Sequence, residues 1–350
     1  RATQQIIQTL GGFWGVGKIA NAGTVKLLNE MSRKPLTRSV HYSEFRQKIK
    51  DATAGKTIWR YKEFETLVER NAVQLGLELK CVKCGSWGWH SIKYLDYSLT
   101  CDLCLKKFDF PITNPGSSQY CKWAYRVIGP FALPDYAKGG YASALAIRFF
   151  EVIGHMDRVG LTWSSGQELT LSASKKIESD FILWYQRKQF FGTDYPTEIL
   201  FGEAKSFGRD VFGDEDINNA KLLAQTFPGA VLVFATMKEE GEISKEEVAR
   251  IKKLAEWGRE YDEDKDETRA PVILLTGTEL FVAHSLEDAW KEKGGKHAQL
   301  VSPGWVRVDN LRVLADLTQQ LYLGMPSYHA WLETKWKRRR ALREKISKAK

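Results

Sequence analysis

Four cysteines, arranged as Cys81-Val-Lys-Cys84 and Cys101-Asp-Leu-Cys104, constrain this chain more than any other feature. Two C-x-x-C knuckles separated by 16 residues have to bring their thiols to one point. The spacing predicts a closed, structural Zn²⁺ site with sulfur at all four tetrahedral positions and none left for chemistry. Two disulfides are the competing arrangement; they need an oxidising compartment, and the sequence carries no recognisable secretory signal. Trp87, Trp89, Tyr94, Tyr97 and Phe108 crowd this segment. In so small a module they are expected to supply scarce hydrophobic packing before they stack bases. His90 reads as a surface or packing residue, and Cys121 as a buried thiol outside the cluster.

A second constraint comes from Glu198-Ile-Leu-Phe-Gly-Glu203-Ala-Lys205-Ser-Phe207. Its two-residue period is that of a strand and puts Ile199, Phe201, Glu203 and Lys205 on one face. That face begins apolar and ends charged. A carboxylate and an ammonium there are costly to bury unless a metal ion, a phosphate or a partner charge compensates them. Upstream, Ile177 to Tyr185 reads as another strand with Glu178, Asp180, Ile182 and Trp184 on one face, and Arg187 to Pro196 supplies the glycine and proline of a turn. A hairpin folded near Gly192 places Asp180 opposite the neighbourhood of Ala204, so the carboxylates of Asp180 and Glu203 converge. Like charges across a strand pair repel. A cation between them relieves the repulsion, and Mg²⁺ is the hard ion commonly held by one or two carboxylates plus water and phosphate oxygens.

The order Asp180, turn, Glu203-x-Lys205 resembles the PD-(D/E)xK, or restriction-endonuclease-like, superfamily, with Ser179 where the superfamily name has proline. The neighbouring elements agree: a helix over Gly140 to Gly154, a strand over Glu168 to Ala173, a helix from Asp214 as N-cap to Phe227, and a buried strand over Ala230 to Thr236. Ser244-Lys-Glu-Glu247 forms a capping box that opens a further helix, and Pro271 to Thr276 adds a strand. The resemblance spans roughly residues 139 to 285. It implies an α/β (α+β) fold with an α-β-β-β-α-β core and metal-assisted phosphodiester hydrolysis. In that scheme Asp180 and Glu203 hold Mg²⁺ or Mn²⁺, while Lys205 orients the attacking water and stabilises developing negative charge. Glu178 is a candidate to share the metal. Glu151, on the preceding helix, is either a further ligand or an ordinary solvent-facing glutamate. DNA is the implied substrate, with RNA also open, in restriction, repair or defence against foreign genomes.

At 350 residues, with 43% hydrophobic content, two or three domains are expected. The organisation reads as a helical region over 1–74, a zinc ribbon over 75–130, the nuclease-like domain over 139–285 and a helical, basic extension over 286–350. The net charge of +9 is concentrated at the C-terminus, where Lys335 to Lys350 holds nine Lys or Arg and one Glu. Lys337, Arg338, Arg339 and Arg340 are therefore candidates for neutralising nucleic-acid phosphates; a solvated tail is the equal alternative. Asp262 to Glu267 reads as an acidic solvent loop. Gly12-Phe-Trp-Gly-Val-Gly17-Lys18 fits G-x4-G-K, yet Ile19 stands where a phosphate loop needs Ser or Thr, and no strand precedes it. No apolar run approaches the length of a membrane-spanning helix. The expectation is a cytoplasmic protein that works on DNA, as a homo-oligomer or within a larger defence or repair complex. A non-cleaving nucleic-acid-binding or assembly subunit that retains a nuclease fold is the alternative.

Overall fold

The structure is a computed structural model and describes residues 2–34, 38–52, 62–110, 119–153, 159–172, 175–189, 192–208, 210–262, 267–282, 285–301 and 308–337. It is mixed α and β with several sheets. The chain divides into two compact units, Arg1–Arg148 and Phe149–Lys350.

In the first unit, helices α1 (Ala2–Thr9) and α2 (Ala22–Arg33) lead to strand β1 (Ser39–His41) and helices α3 (Tyr42–Ala52) and α4 (Lys62–Glu69). Asn21 caps α2 by accepting the N–H groups of Gly23 and Thr24. The glycine-rich segment after α1 folds as short helical turns, Phe13–Val16 and Gly17–Ile19, and so lacks the strand-to-loop geometry of a phosphate loop. The helical pattern expected through Gln74 stops at Asn71, where φ is 55°. Strand β2 (Val73–Lys80) follows, because Val73, Leu75, Leu77 and Leu79 alternate with period two.

Strands β3 (Trp87–Ser91), β4 (Ser98–Thr100), β5 (Lys107–Asp109) and β6 (Cys121–Val127) complete this unit. The main sheet has the order β1-β6-β2-β3, with Ser39 paired to Arg126 and Leu79 to Cys121. This corrects the expected boundary at residue 74. The helical region contributes the edge strand β1, so it folds with the cysteine-bearing segment as one body. Tyr125 of β6 seals the contact, its ring 5.2 Å from Phe45 and 5.4 Å from Phe64 on the helices that cover this face.

The unit boundary falls inside helix α5 (Gly140–Ile153). The second unit then runs β7 (Val159–Ser172), β8 (Lys175–Arg187), β9 (Glu198–Lys205), α6 (Asp214–Thr226), β10 (Val231–Thr236), α7 (Lys245–Gly258), β11 (Val272–Leu275) and, further on, α8 (Leu311–Tyr322). Its five-stranded sheet has the order β11-β10-β9-β8-β7. The β7–β8 and β8–β9 pairs are antiparallel, whereas β10 runs parallel to both β9 and β11. Every residue of β10 and β11 is buried, as parallel strands covered on both faces require.

Alternation along β8 separates two environments. Phe181, Leu183 and Tyr185 are fully buried on one face, where Phe150 of α5 meets Tyr185 at 6.4 Å. On the other face Ile182 sits opposite Phe201, and Phe201 packs 5.2 Å from Phe227 at the end of α6. Helix α6 therefore lies over the face that carries Asp180, Glu203 and Lys205. Gly202 on β9 has to remain a glycine: a Cβ there would stand 2.0 Å from the Phe181 ring.

Candidate active site and metal centre

The β8–β9 ladder ends with Phe181 opposite Gly202, and one further step brings Asp180 abreast of Glu203. The register differs by one residue from a hairpin folded symmetrically about Gly192, which puts Asp180 level with Ala204. The Ala204 N–H instead donates to Asp180 Oδ2 at 2.8 Å. Lys205 Nζ lies 2.8 Å from Glu203 Oε1 and 3.4 Å from Asp216 Oδ2. The three residues singled out from the sequence thus share one strand-end region, with Asp216 of α6 as a fourth member.

Electrostatics follow from this crowding. Burial pushes the Asp180 carboxyl up, against the opposing pull of the Ala204 N–H and the Lys205 charge; Glu178 and Asp210 add to the rise. Burial, then the neighbouring Asp180 charge, drives Glu203 up to about 8. Lys205 is pushed down by burial, but Glu203 and Asp216 outweigh this and leave its ammonium more firmly protonated than usual. The site is short of positive charge even with Lys205 in it. Asp180 and Glu203 stand abreast on one strand pair and are the hard oxygen donors that could take a small divalent cation here.

Glu178 is exposed two residues before Asp180, and acts on it through charge. Glu151 is half-buried in α5; the charges that act most on Asp180 and Glu203 are those of Lys205, Asp210, Asp216 and Glu178. Asp216 belongs to none of the motifs expected from the sequence. The N-cap of α6 is Gly213, not the expected Asp214, and Asp216 three residues on accepts the Gly213 N–H at 2.7 Å. An acid at that third helical position is the signal that marks it. Lys238 and Glu247 support the same region, Lys238 Nζ donating to the Asp210 carbonyl at 2.7 Å and Glu247 accepting the Phe212 N–H at 3.1 Å. The Ser244–Glu247 capping box is present as the sequence indicates.

The four cysteines converge. Ligand atoms of Cys81, Cys84, Cys101 and Cys104 all lie within 4.8 Å of one another, and they are the only group of three or more converging His, Cys, Asp or Glu ligands among the described residues. Sulfur separations of 3.8 Å for Cys81–Cys104 and 3.7 Å for Cys84–Cys101 match the edge of a tetrahedron with metal–sulfur bonds of about 2.3 Å. Each knuckle is closed identically, by Gly85 N–H to the Cys81 carbonyl and by Leu105 N–H to the Cys101 carbonyl. The cluster is able to hold a structural metal such as zinc. Leu77, Leu79, Leu99, Phe108 and Cys121 form one apolar cluster with Cys81 and Cys101, which ties the knuckles to β2 and β6. Trp89 and Phe108 are buried, as the packing reading expects, while Tyr94 and Tyr97 are 71% and 75% exposed. His90 packs edge-on against Phe108, outside the cluster.

Of the basic candidates, Lys337 is exposed in a helical turn. Arg338, Arg339 and Arg340 lie outside the described residues, as does most of the acidic 262–267 segment. No helix among the described residues is long and apolar enough to cross a membrane. Comparison with protein-family models, with curated proteins and with solved structures finds no match to this chain.

Proposed function

We propose that the second unit is a divalent-metal-dependent nuclease of restriction-endonuclease-like type, acting on phosphodiester bonds in DNA. One observation carries this reading: Asp180, Glu203 and Lys205 come together at the end of a buried strand pair, below a helix, in a setting where carboxylates outnumber the one ammonium. The succession α5-β7-β8-β9-α6-β10 supports it by following the α-β-β-β-α-β order of that fold.

Asp180 and Glu203 are the residues that would hold the metal, Mg²⁺ or Mn²⁺, which would supply Lewis-acid polarisation of the scissile phosphate and acidify water at the site. The remaining work belongs to the chain. Ala204 N–H fixes the Asp180 carboxylate, Asp216 holds Lys205 in reach of Glu203, and the ammonium of Lys205 orients the water and meets the negative charge that grows on phosphate. Zinc in the four-cysteine site supplies structure to the first unit, and Lys337 with the basic segment after it holds DNA phosphates. The setting is cytoplasmic, in restriction, repair or defence, within a homo-oligomer or a larger complex.

A second reading is favoured by the partners already present. Lys205 pairs with Glu203, and Asp180 accepts a backbone N–H, so the region is stable as a scaffold for a non-cleaving, nucleic-acid-binding subunit. Incubating supercoiled plasmid with wild type and Lys205→Ala in Mg²⁺ or Mn²⁺ separates the two. Nicking by wild type alone supports the nuclease; equal outcomes for both proteins remove it.

A further inference from the structure

The sheet of the first unit has a second face, opposite the one that Tyr125 turns to the helices. Pairing places Lys80 beside Trp87, Glu78 between Trp89 and Lys122, and Arg126 between Gln74 and Ser39. Alternation puts all of these on that second face. Gly76 makes room for it: a Cβ there would stand 2.4 Å from the Trp89 indole. The indole is pinned by its Nε1–H, which donates to the Ala124 carbonyl at 3.1 Å. Arg126 lays its guanidinium over this ring at 5.3 Å, and Lys122 sets its ammonium over Trp87 at 4.7 Å.

These cations have no counter-ion to match. Among the described residues no carboxylate pairs with Arg38, Lys80, Lys122 or Arg126, and no oxygen hydrogen-bonds to the Arg126 guanidinium. Arg126 is half-buried and feels the charge of Arg38; burial and that repulsion both push its pKa down, with Asp102 acting weakly the other way. Glu78, the acid on this face, is buried, with its oxygens taken by Ser39 and His41. Lys80, Lys122 and Arg126, partly desolvated and unpaired, with the exposed Arg38 beside them, are stabilised by an external anion. A guanidinium engaged through its charge with an indole ring keeps its fork of donors free for phosphate oxygens.

We infer that this face binds a single strand of nucleic acid, with Arg38, Arg126, Lys122 and Lys80 on its phosphates and its bases against Trp87 and the Arg126 plane. The choice of nucleic acid over other polyanions rests on the nuclease reading, while the residues belong to the other unit. The half-buried Trp87 and the Arg126 guanidinium, which caps the buried Trp89, are the planar groups that reach the surface of this face, and they suit unpaired bases, which stack on aromatic rings and guanidinium planes. Duplex bases are already stacked and offer only their edges and backbone.

The test uses the full zinc-loaded chain with Ca²⁺ in place of Mg²⁺ and a fluorescent oligothymidine, read by anisotropy across a salt series. The Arg38→Glu, Arg126→Gln double variant is expected to bind roughly tenfold or more weakly, with a salt slope flatter by about 1.4, the value for two lost phosphate contacts on a single strand. Lys122→Glu, a change at a partly exposed position, repeats the loss in a fold-safe background. Plasmid nicking by wild type in Mg²⁺ is measured alongside, so failure of the nuclease reading, seen as no nicking, and failure of this one, seen as unchanged oligonucleotide binding, are distinguishable. Unchanged affinity and slope in variants that retain zinc overturn the inference, as does wild type that ignores the oligonucleotide. Equal or tighter binding of a hairpin duplex overturns the single-strand assignment, and equal binding of polyphosphate overturns nucleic acid as the ligand.

Discussion

Lys205 Nζ bridges Glu203 Oε1 at 2.8 Å and Asp216 Oδ2 at 3.4 Å, so one ammonium joins a carboxylate of its own strand to one on the helix that follows. That helix is anchored on the same face through Phe201 and Phe227. The position of the ammonium is thereby set by core packing as well as by its charge partners.

On the proposed nuclease reading, Lys205→Ala removes the cation that meets developing phosphate charge. Cleavage is expected to fall by roughly a hundredfold or more, the usual loss for one such group. Asp216→Asn leaves the ammonium present but held on one side only, and a smaller loss is expected. Plasmid nicking rates for the two variants, measured side by side, check the order; a greater defect in Asp216→Asn than in Lys205→Ala contradicts it.

Burial and the nearby Asp180 push the Glu203 carboxyl up to about 8, against an ordinary value of 4.5. A carboxyl raised on folding contributes stability that is full below the unfolded value and is lost as pH rises through the folded one. Metal-free protein is therefore expected to melt at progressively lower temperature between about pH 4.5 and about pH 8. Glu203→Gln, which has no proton to lose, flattens that part of the profile. Thermal scans in metal-free buffer compare the two, and parallel profiles count against a buried, raised Glu203.

How much of this was legible in the sequence depended on distance along the chain. The strands through Ile182 and Phe201 announce themselves by alternation, and the capping box at Ser244 by local spacing, so these elements lie close to their expected places, whereas β7 begins at Val159 and not near Glu168. The register was one residue off because turn composition says that the chain reverses and not which residues pair; the Ile182–Phe201 contact decides that. Strand β1 is three residues long, too short for any period to show, and its pairing with Arg126 erased the expected boundary at residue 74. Asp216 and the Arg126–Trp89 stack needed a helix or a strand partner in place before their neighbours existed.

Gly202→Ala tests the close approach of β8 and β9 directly. The added methyl would meet the Phe181 ring at 2.0 Å, and overpacking of this kind costs about 1–3 kcal/mol. Denaturant unfolding should show that loss, and Phe181→Leu in the same chain should recover part of it by clearing the ring. A neutral Gly202→Ala is incompatible with this packing.

The four-cysteine centre gives the last expectation. Its four sulfurs converge, two of their separations already match the edge of a tetrahedral thiolate site, and the apolar cluster built on Cys81 and Cys101 ties that geometry to β2 and β6. One tightly held zinc per chain is therefore expected, and Cys84→Ser, which changes an exposed member of the set, should lower zinc content without opening the apolar cluster. Chelation of wild type should loosen the knuckles first, since each is closed by backbone N–H bonds to Cys81 and Cys101 that depend on the loop the metal holds. Metal analysis on the purified chain, followed by hydrogen exchange at Gly85 and Leu105 before and after chelation, reads both effects. Full protection of those two amides in zinc-free protein would show that the loops close without the metal.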